Sequence, residues 1–149
     1  MEYKVLKFLF GSAEYKKALE LRYRVLRKPL GLQFTAAELS KDVKDIHLGI
    51  LMGDEIIACL ILLVSENKKI KMRQVAVDEN FQGKGWGKKL SLAAEEIAKQ
   101  LGCNCIFCHA RKPAVSFYEK LGYKITGDEF TEVGIPHYAM EKQIGGNPH

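Results

Sequence analysis

No stretch of this chain is apolar for long enough to cross a membrane. The longest such run, residues 56–64, is less than half of the roughly 20 residues that a helical span requires. The opening residues lack the basic-then-apolar pattern of an export leader. Glu2 and a loose strand-like alternation stand there instead, so a cytoplasmic protein is expected. No Pro/Gly/Ser-rich linker, low-complexity tract or internal repeat divides the 149 residues, a length that suits one domain with a full core. We therefore expect a single domain over residues 1–144 and a disordered tail over 145–149. Cysteine is also sparse. Cys105-Ile106-Phe107-Cys108-His109 spells the C-x-x-C-H of haem attachment. Residues 104–110 read as a buried strand, however, and residues three apart on a strand point to opposite faces. With no second ligand pair for zinc, Cys59, Cys103, Cys105 and Cys108 read as buried reduced thiols, and no metal is expected.

Charge excludes little by itself. The 23 basic and 18 acidic residues leave a formal +5, gathered at Arg22-Arg27-Lys28, at Lys68-Lys69-Lys71-Arg73 and at Lys84-Lys88-Lys89. Such clusters ordinarily mark solvated faces. The aromatic-interleaved basic motifs of RNA-binding modules are missing, so nucleic acid is not expected as the partner.

What is present reads as alternating strands and helices. Residues 1–10 form a first strand, and Ser12 caps a helix that carries Tyr15, Ala18, Leu19, Val25 and Leu26 before Pro29 and Gly31 end it. Thr35-Ala36-Ala37-Glu38 is a capping box for a short second helix. Strands over 46–52 and 55–64 flank Gly53-Asp54, a tight-hairpin signal. A further strand covers 69–77, and its apolar phase changes between Ile70/Met72 and Val75/Val77. One extra residue near Arg73-Gln74, a β-bulge, returns all four to one face; burial on both faces is the alternative. Residues 87–101 carry the apolar stripe Leu90, Ala93, Ala94, Ile97, Ala98 and Leu101, closed by Gly102. After the strand at 104–110, Pro113 starts a helix with Ala114, Phe117, Tyr118 and Leu121 on its inner face. Residues 123–126 and 136–143 supply closing strands.

The most informative segment joins the strand Val75-Ala76-Val77 to the long helix through Gln82-Gly83-Lys84-Gly85-Trp86-Gly87-Lys88. Backbone N–H groups at a helix start lack intrahelical acceptors, and the helix dipole favours an anion there. A phosphate or pyrophosphate is the expected ligand. The glycine spacing fails the dinucleotide fingerprint, because position 88 is Lys. It also fails the Walker A loop, where Gln82 stands in place of the first Gly and Lys89 in place of Ser/Thr.

Gln82-x-x-Gly85-x-Gly87 resembles the Q/R-x-x-G-x-G/A motif of the GNAT superfamily of N-acetyltransferases. Phe117-Tyr118-Glu119-Lys120-Leu121-Gly122-Tyr123 is similar to that family's second signature, and the element order follows its fold over nearly the whole chain. His109-Ala110-Arg111 and residues 130–137 add a likeness to the ElaA-like branch. The resemblance implies an α/β fold: a mixed, mostly antiparallel central sheet flanked by helices, with a splayed pair of parallel strands holding acetyl-CoA. It implies pantetheine contacts from Val75, Ala76 and Val77, and pyrophosphate contacts from Gln82, Gly83, Lys84, Gly85, Trp86, Gly87 and Lys88. A bulge N–H would polarise the thioester carbonyl. Tyr118 would touch the cofactor and protonate the departing thiolate, although its spacing alone favours core packing. For the base, Glu132, His109, His137 and a water chain all stand open. Arg111 occupies a position where relatives often carry a cofactor-contacting Asn; it would pair with a cofactor phosphate or an acidic acceptor, or lie in solvent. The expected activity is acetyl transfer from acetyl-CoA to a primary amine in a ternary complex. A non-catalytic acyl-CoA-binding domain is the competing expectation, and the family allows a homodimer.

Overall fold

The structure, a computed structural model, describes residues 2–145. The chain forms two compact units, one from the residues up to Leu63 together with Arg73–Ala94, the other from Val64–Met72 together with the residues from Glu95 on.

In the first unit, β1 (Tyr3–Phe8) pairs antiparallel with β2 (Ile46–Met52), and β2 pairs antiparallel with β3 (Glu55–Val64). The β2–β3 turn is the expected one, with Gly53 at φ 61°. Helix α1 (Ala13–Arg22) begins at Ser12, whose hydroxyl accepts from the Tyr15 N–H at 3.1 Å. It then loosens into a π-turn over Tyr23–Arg27, in which the Lys28 N–H donates to the Tyr23 carbonyl five residues back. That repeat stacks residues five apart, so Arg22 and Arg27 both reach the Phe34 ring, at 4.8 and 4.3 Å from its centroid. Helix α2 (Ala36–Ser40) opens on the complete capping box of Thr35 and Glu38. Tyr15, Ala18 and Leu21 of α1 pack with Phe8, Ile56, Cys59 and Ala76 in one apolar cluster.

The expected bulge lies in β4 (Lys69–Val77), where Gln74 has φ 55°. Two adjacent side chains, Arg73 and Gln74, point to the same side. Arg73 reaches Asp42 and Asp45, while Gln74 Oε1 lies 3.4 Å from Arg22 Nε. Adjacent residues on one face are the mark of a bulge, which returns Val75 and Val77 to the face of Ile70 and Met72. Ala76 then joins the α1 cluster. The third helix, α3 (Trp86–Gln100), runs through both units. Leu90, Ala94 and Ala98 of its stripe are buried, but Leu101 lies beyond its end and is 51% exposed.

The second unit holds the first part of β4 beside β5 (Cys105–Arg111), helix α4 (Val115–Lys120), β6 (Lys124–Ile125), β7 (Phe130–Glu132) and β8 (Ile135–Gln143). Strand order is β1-β2-β3-β4-β5-β8-β6, with β7 on β8. This is a mixed α/β fold: β5, β6 and β7 each pair antiparallel with β8, whereas β4 and β5 are parallel. The parallel ladder joins Lys69, Ile70 and Lys71 to Cys105, Ile106 and Phe107, although β4 continues to Val77 and β5 to Arg111. Pro113 sits in a 3-10 turn, Lys112–Ala114, that leads into α4. Phe117, expected on the inner face of that helix, is 37% exposed at its rim, whereas Tyr118 and Leu121 are buried. The segment expected as a late loop is the β7–β8 hairpin, turned by Val133 and Gly134 at φ 46° and 78°. Of the expected tail, residues 146–149 lie outside the described residues. Gly145 is described, and its N–H points to the Asn104 carbonyl at 3.4 Å.

Candidate active site

The first unit holds the glycine loop and helix start expected to receive an anion. After β4, the Asp78 N–H donates to the Ile57 carbonyl, an acceptor freed where the β2–β3 register skips Ile57. Asp78 caps a short turn by accepting from the Asn80 N–H and is gripped by Arg24 at 2.7 Å. Gln82 does not project outward: its amide donates to the Val77 carbonyl at 2.9 Å and folds the loop back on the strand. Gly83 and Gly85 have φ 74° and 88°, which L side chains rarely adopt, and a Cβ at either would meet open space. The backbone is therefore bare on its outer side, which suits close approach of a pyrophosphate. The Gly85 carbonyl accepts from the Lys89 N–H at 3.0 Å, so α3 begins here. As at any helix start, the N–H groups of Trp86, Gly87 and Lys88 have no intrahelical acceptor. Lys84 and Lys88 are exposed beside them. The Trp86 ring turns toward Tyr3 of β1, edge-on at 5.0 Å, and Lys89 Nζ donates to the Tyr3 hydroxyl at 2.8 Å. That anchor of the loop on β1 joins residues 86 apart in sequence and carries no sequence signal. Val75 and Val77 are half-buried and Ala76 is buried.

In the second unit, α4 buries Tyr118 edge-on between Phe117 at 5.1 Å and Tyr123 at 5.5 Å. Burial, followed by the nearby Cys108, pushes the Tyr118 phenol above its ordinary range, so it keeps its proton. Cys108 itself is raised to about 12 by burial, and the four cysteines are free thiols. Arg111 ends β5 opposite His137 in the β5–β8 register.

The same unit brings three of the expected base candidates together. His109 Nδ1 lies 2.9 Å from Glu132 Oε1, and His137 Nε2 lies 3.8 Å from Glu132 Oε2. Phe130, which the sequence did not single out, stacks on His137 and meets His109 edge-on. The hairpin explains the meeting. Phe130 pairs with His137 and Glu132 with Ile135, so alternation puts Phe130, Glu132 and His137 on one face. A glycine at the second turn position was the available sequence signal. His109 and Cys108 are neighbours on β5 and therefore face opposite sides, with Cys108 on the side of Tyr118.

A family model described as an acetyltransferase (GNAT) domain matches residues 26–144, and the chain belongs to that family. YyaT of Bacillus subtilis (strain 168) is 38% identical over 77 residues, 52% of this chain and 52% of its own; the chain spans about half the length of the curated relatives it first matches. Escherichia coli ElaA has a TM-score of 0.82 at 19% identity, covering 95% of this chain and 100% of that one. An aminoglycoside 6'-N-acetyltransferase in complex with coenzyme A has a TM-score of 0.81 at 18% identity, covering 98% and 99%. At those identities the likeness is one of fold. Among the described residues no helix is long and apolar enough to cross a membrane.

Proposed function

We propose that this protein is an acetyl-CoA-dependent N-acetyltransferase acting on a primary amine by direct attack in a ternary complex. The observation that carries the reading is the bare, positive-φ loop of Gly83 and Gly85 at the start of α3, in a chain of the GNAT family. The coenzyme A bound by the aminoglycoside acetyltransferase of like fold supports it. In this reading acetyl-CoA supplies the activated acetyl group as a thioester. The N–H groups of Gly83 to Lys88, with Lys84 and Lys88, hold its pyrophosphate, and Gln82 keeps the loop in shape. Val75, Ala76 and Val77 offer main-chain groups to the pantetheine arm, and Arg111 takes a phosphate or an acidic acceptor.

In this reading Tyr118 is the proton donor to the departing thiolate: burial keeps its hydroxyl protonated throughout the neutral range and at the same time makes it a weaker acid. The Glu132–His109 pair takes the proton that the amine must lose.

Calorimetric titration with acetyl-CoA, alongside the fluorescence of Trp86 (the single tryptophan), tests the cradle. Gly85→Asp, with folding checked by circular dichroism, should weaken binding about tenfold or more; absence of binding to the wild type overturns the proposal. Thiol release over a panel of amines then separates an enzyme from a binding domain, which would bind without turnover. Tyr118→Phe should lower kcat about a hundredfold with binding unchanged. Equal turnover would remove Tyr118 as the acid.

A further inference from the structure

The imidazole of His137 is used by nothing so far, yet it is more deeply buried than either member of the proposed base pair. Only 4% of its side chain is exposed, against 29% for His109 and 45% for Glu132. Its Nδ1 lies 2.9 Å from the Ile135 carbonyl. A carbonyl oxygen only accepts, so Nδ1 carries the hydrogen. The second nitrogen, Nε2, is then bare in the neutral ring and bears a hydrogen only in the imidazolium. That nitrogen is the one facing Glu132 Oε2 at 3.8 Å.

Glu132 thus has one imidazole for each oxygen: His109 on Oε1 within hydrogen-bond distance, His137 on Oε2 within ion-pair distance. A bare Nε2 and an ionised carboxylate present lone pairs to each other, and a single proton on either removes the conflict. Phe130 keeps both rings in place, stacked at 28° on His137 and crossed at 78° to His109. The backbone is equally constrained. Val133 is β-branched at φ 46°, a costly conformation held by the two-residue turn that sets Glu132 opposite Ile135. Ile135 is also the residue whose carbonyl anchors His137. The other charged group facing His137 across the β5–β8 ladder is Arg111.

We propose that His137 is a positioning residue, whose fixed tautomer holds Glu132 on His109 and couples the proton of that pair to its own. The inference rests on the reading of Glu132 and His109 as the base, and it assigns the proton-accepting unit as three residues sharing one carboxylate.

The test is a long-range proton–nitrogen NMR titration of the imidazoles in the full chain, which needs no acceptor. In the wild type His137 should appear as the Nδ1–H tautomer when neutral, and the curves of His109 and His137 should each show two steps. His137→Phe keeps a ring against Phe130 but loses both nitrogens. It should leave a single step for His109, at a midpoint different from the wild type's. His137→Gln, whose amide still reaches toward Glu132, should move that midpoint less. An Nε2–H tautomer in the wild type overturns the proposal even if neither variant folds. So does an unmoved His109 curve in a folded His137→Phe. Turnover of Glu132→Gln with spermidine and acetyl-CoA separates the two readings. Coupled titration with unchanged turnover supports the positioning and removes the catalytic use of the pair, whereas uncoupled titration with lost turnover does the reverse.

Discussion

Each unit places one carboxylate between two nitrogen bases, and the two arrangements differ in which bases they use. Asp42 in the first unit is fully buried. It accepts from the Tyr15 hydroxyl at 2.7 Å, Arg22 at 2.8 Å and Arg73 at 3.0 Å, while its main-chain carbonyl takes His47 Nε2 at 2.8 Å. Burial alone would raise its pKa, but the bonds from Tyr15, Arg22 and Arg73 outweigh burial and hold it below the usual value. Tyr15 moves the other way, to about 12, through burial and its bond to Asp42. Arginine does not give up its proton, so this cluster has one charge state and one geometry. Glu132 is half exposed and its partners are imidazoles, which unlike guanidiniums exist in a neutral and a charged form. The first arrangement holds α1, the residues after α2 and the β4 bulge together; the second is suited to moving a proton. The contrast also revises the expectation for the basic clusters, because Arg22 and Arg27 are buried and paired rather than solvated.

Breaking the two carboxylates should produce opposite signatures. Asp42→Asn leaves the buried Arg22 guanidinium without its counter-charge and half-buried Arg73 with Asp45 alone, and should cost about 3–5 kcal/mol, read as a lower urea midpoint. A loss under about 1 kcal/mol would mean that water or Asp45, also bonded to Arg73, replaces Asp42. Glu132→Gln should leave stability within about 0.5 kcal/mol, as expected at a half-exposed site. In the proposed reaction it should lower kcat about a hundredfold. A Glu132 variant that unfolds with full activity per folded molecule would reverse the comparison.

What the sequence revealed follows from how far apart the partners are. The glycine loop, the Thr35–Glu38 box, the Gly53-Asp54 turn and the β4 phase change are each contained within a few residues, so spacing alone exposes them. Asp42 gathers Arg22 and Arg73 from 20 and 31 residues away, and nothing local marks those arginines as paired. His109 and Glu132 were visible singly, but their contact spans 23 residues and depends on β-register. The β7–β8 turn was missed for a physical reason: Val133 occupies a left-handed position where Asn, Asp or Gly is the usual signal. The π-turn escaped for another, since the apolar spacing of Val25 and Leu26 reads as ordinary helix. The turn goes together with the placing of Arg22 and Arg27 on Phe34, a contact that no local spacing announces.

Arg27 and Glu38 give the smallest effect and the finest test of the contrast, because this pair lies at the edge of the arginine-held region. Arg27 Nη2 meets Glu38 Oε2 at 2.7 Å, and the Thr35 N–H also donates to Glu38. The Arg27 bond, against partial burial and helped by Thr35, lowers the Glu38 pKa from 4.5 to about 2. A depressed carboxylate pKa contributes stability that is complete above the unfolded value and is lost on acidification. The contribution should therefore fade between pH 4.5 and about pH 2. Glu38 is 39% exposed, so solvent screens the pair and keeps the effect modest. Asp42 has the same sign, and the wild-type stability curve alone would not separate the two. The difference between wild type and Arg27→Gln does. Loss of the Arg27–Phe34 stacking lowers stability by the same amount at every pH, whereas loss of the Glu38 bond lowers it only where Glu38 is ionised. The gap between the two curves should narrow to the constant stacking loss as the pH falls from 4.5 toward 2, and parallel curves in urea titrations at several pH values would show that Arg27 holds Phe34 without holding the Glu38 charge.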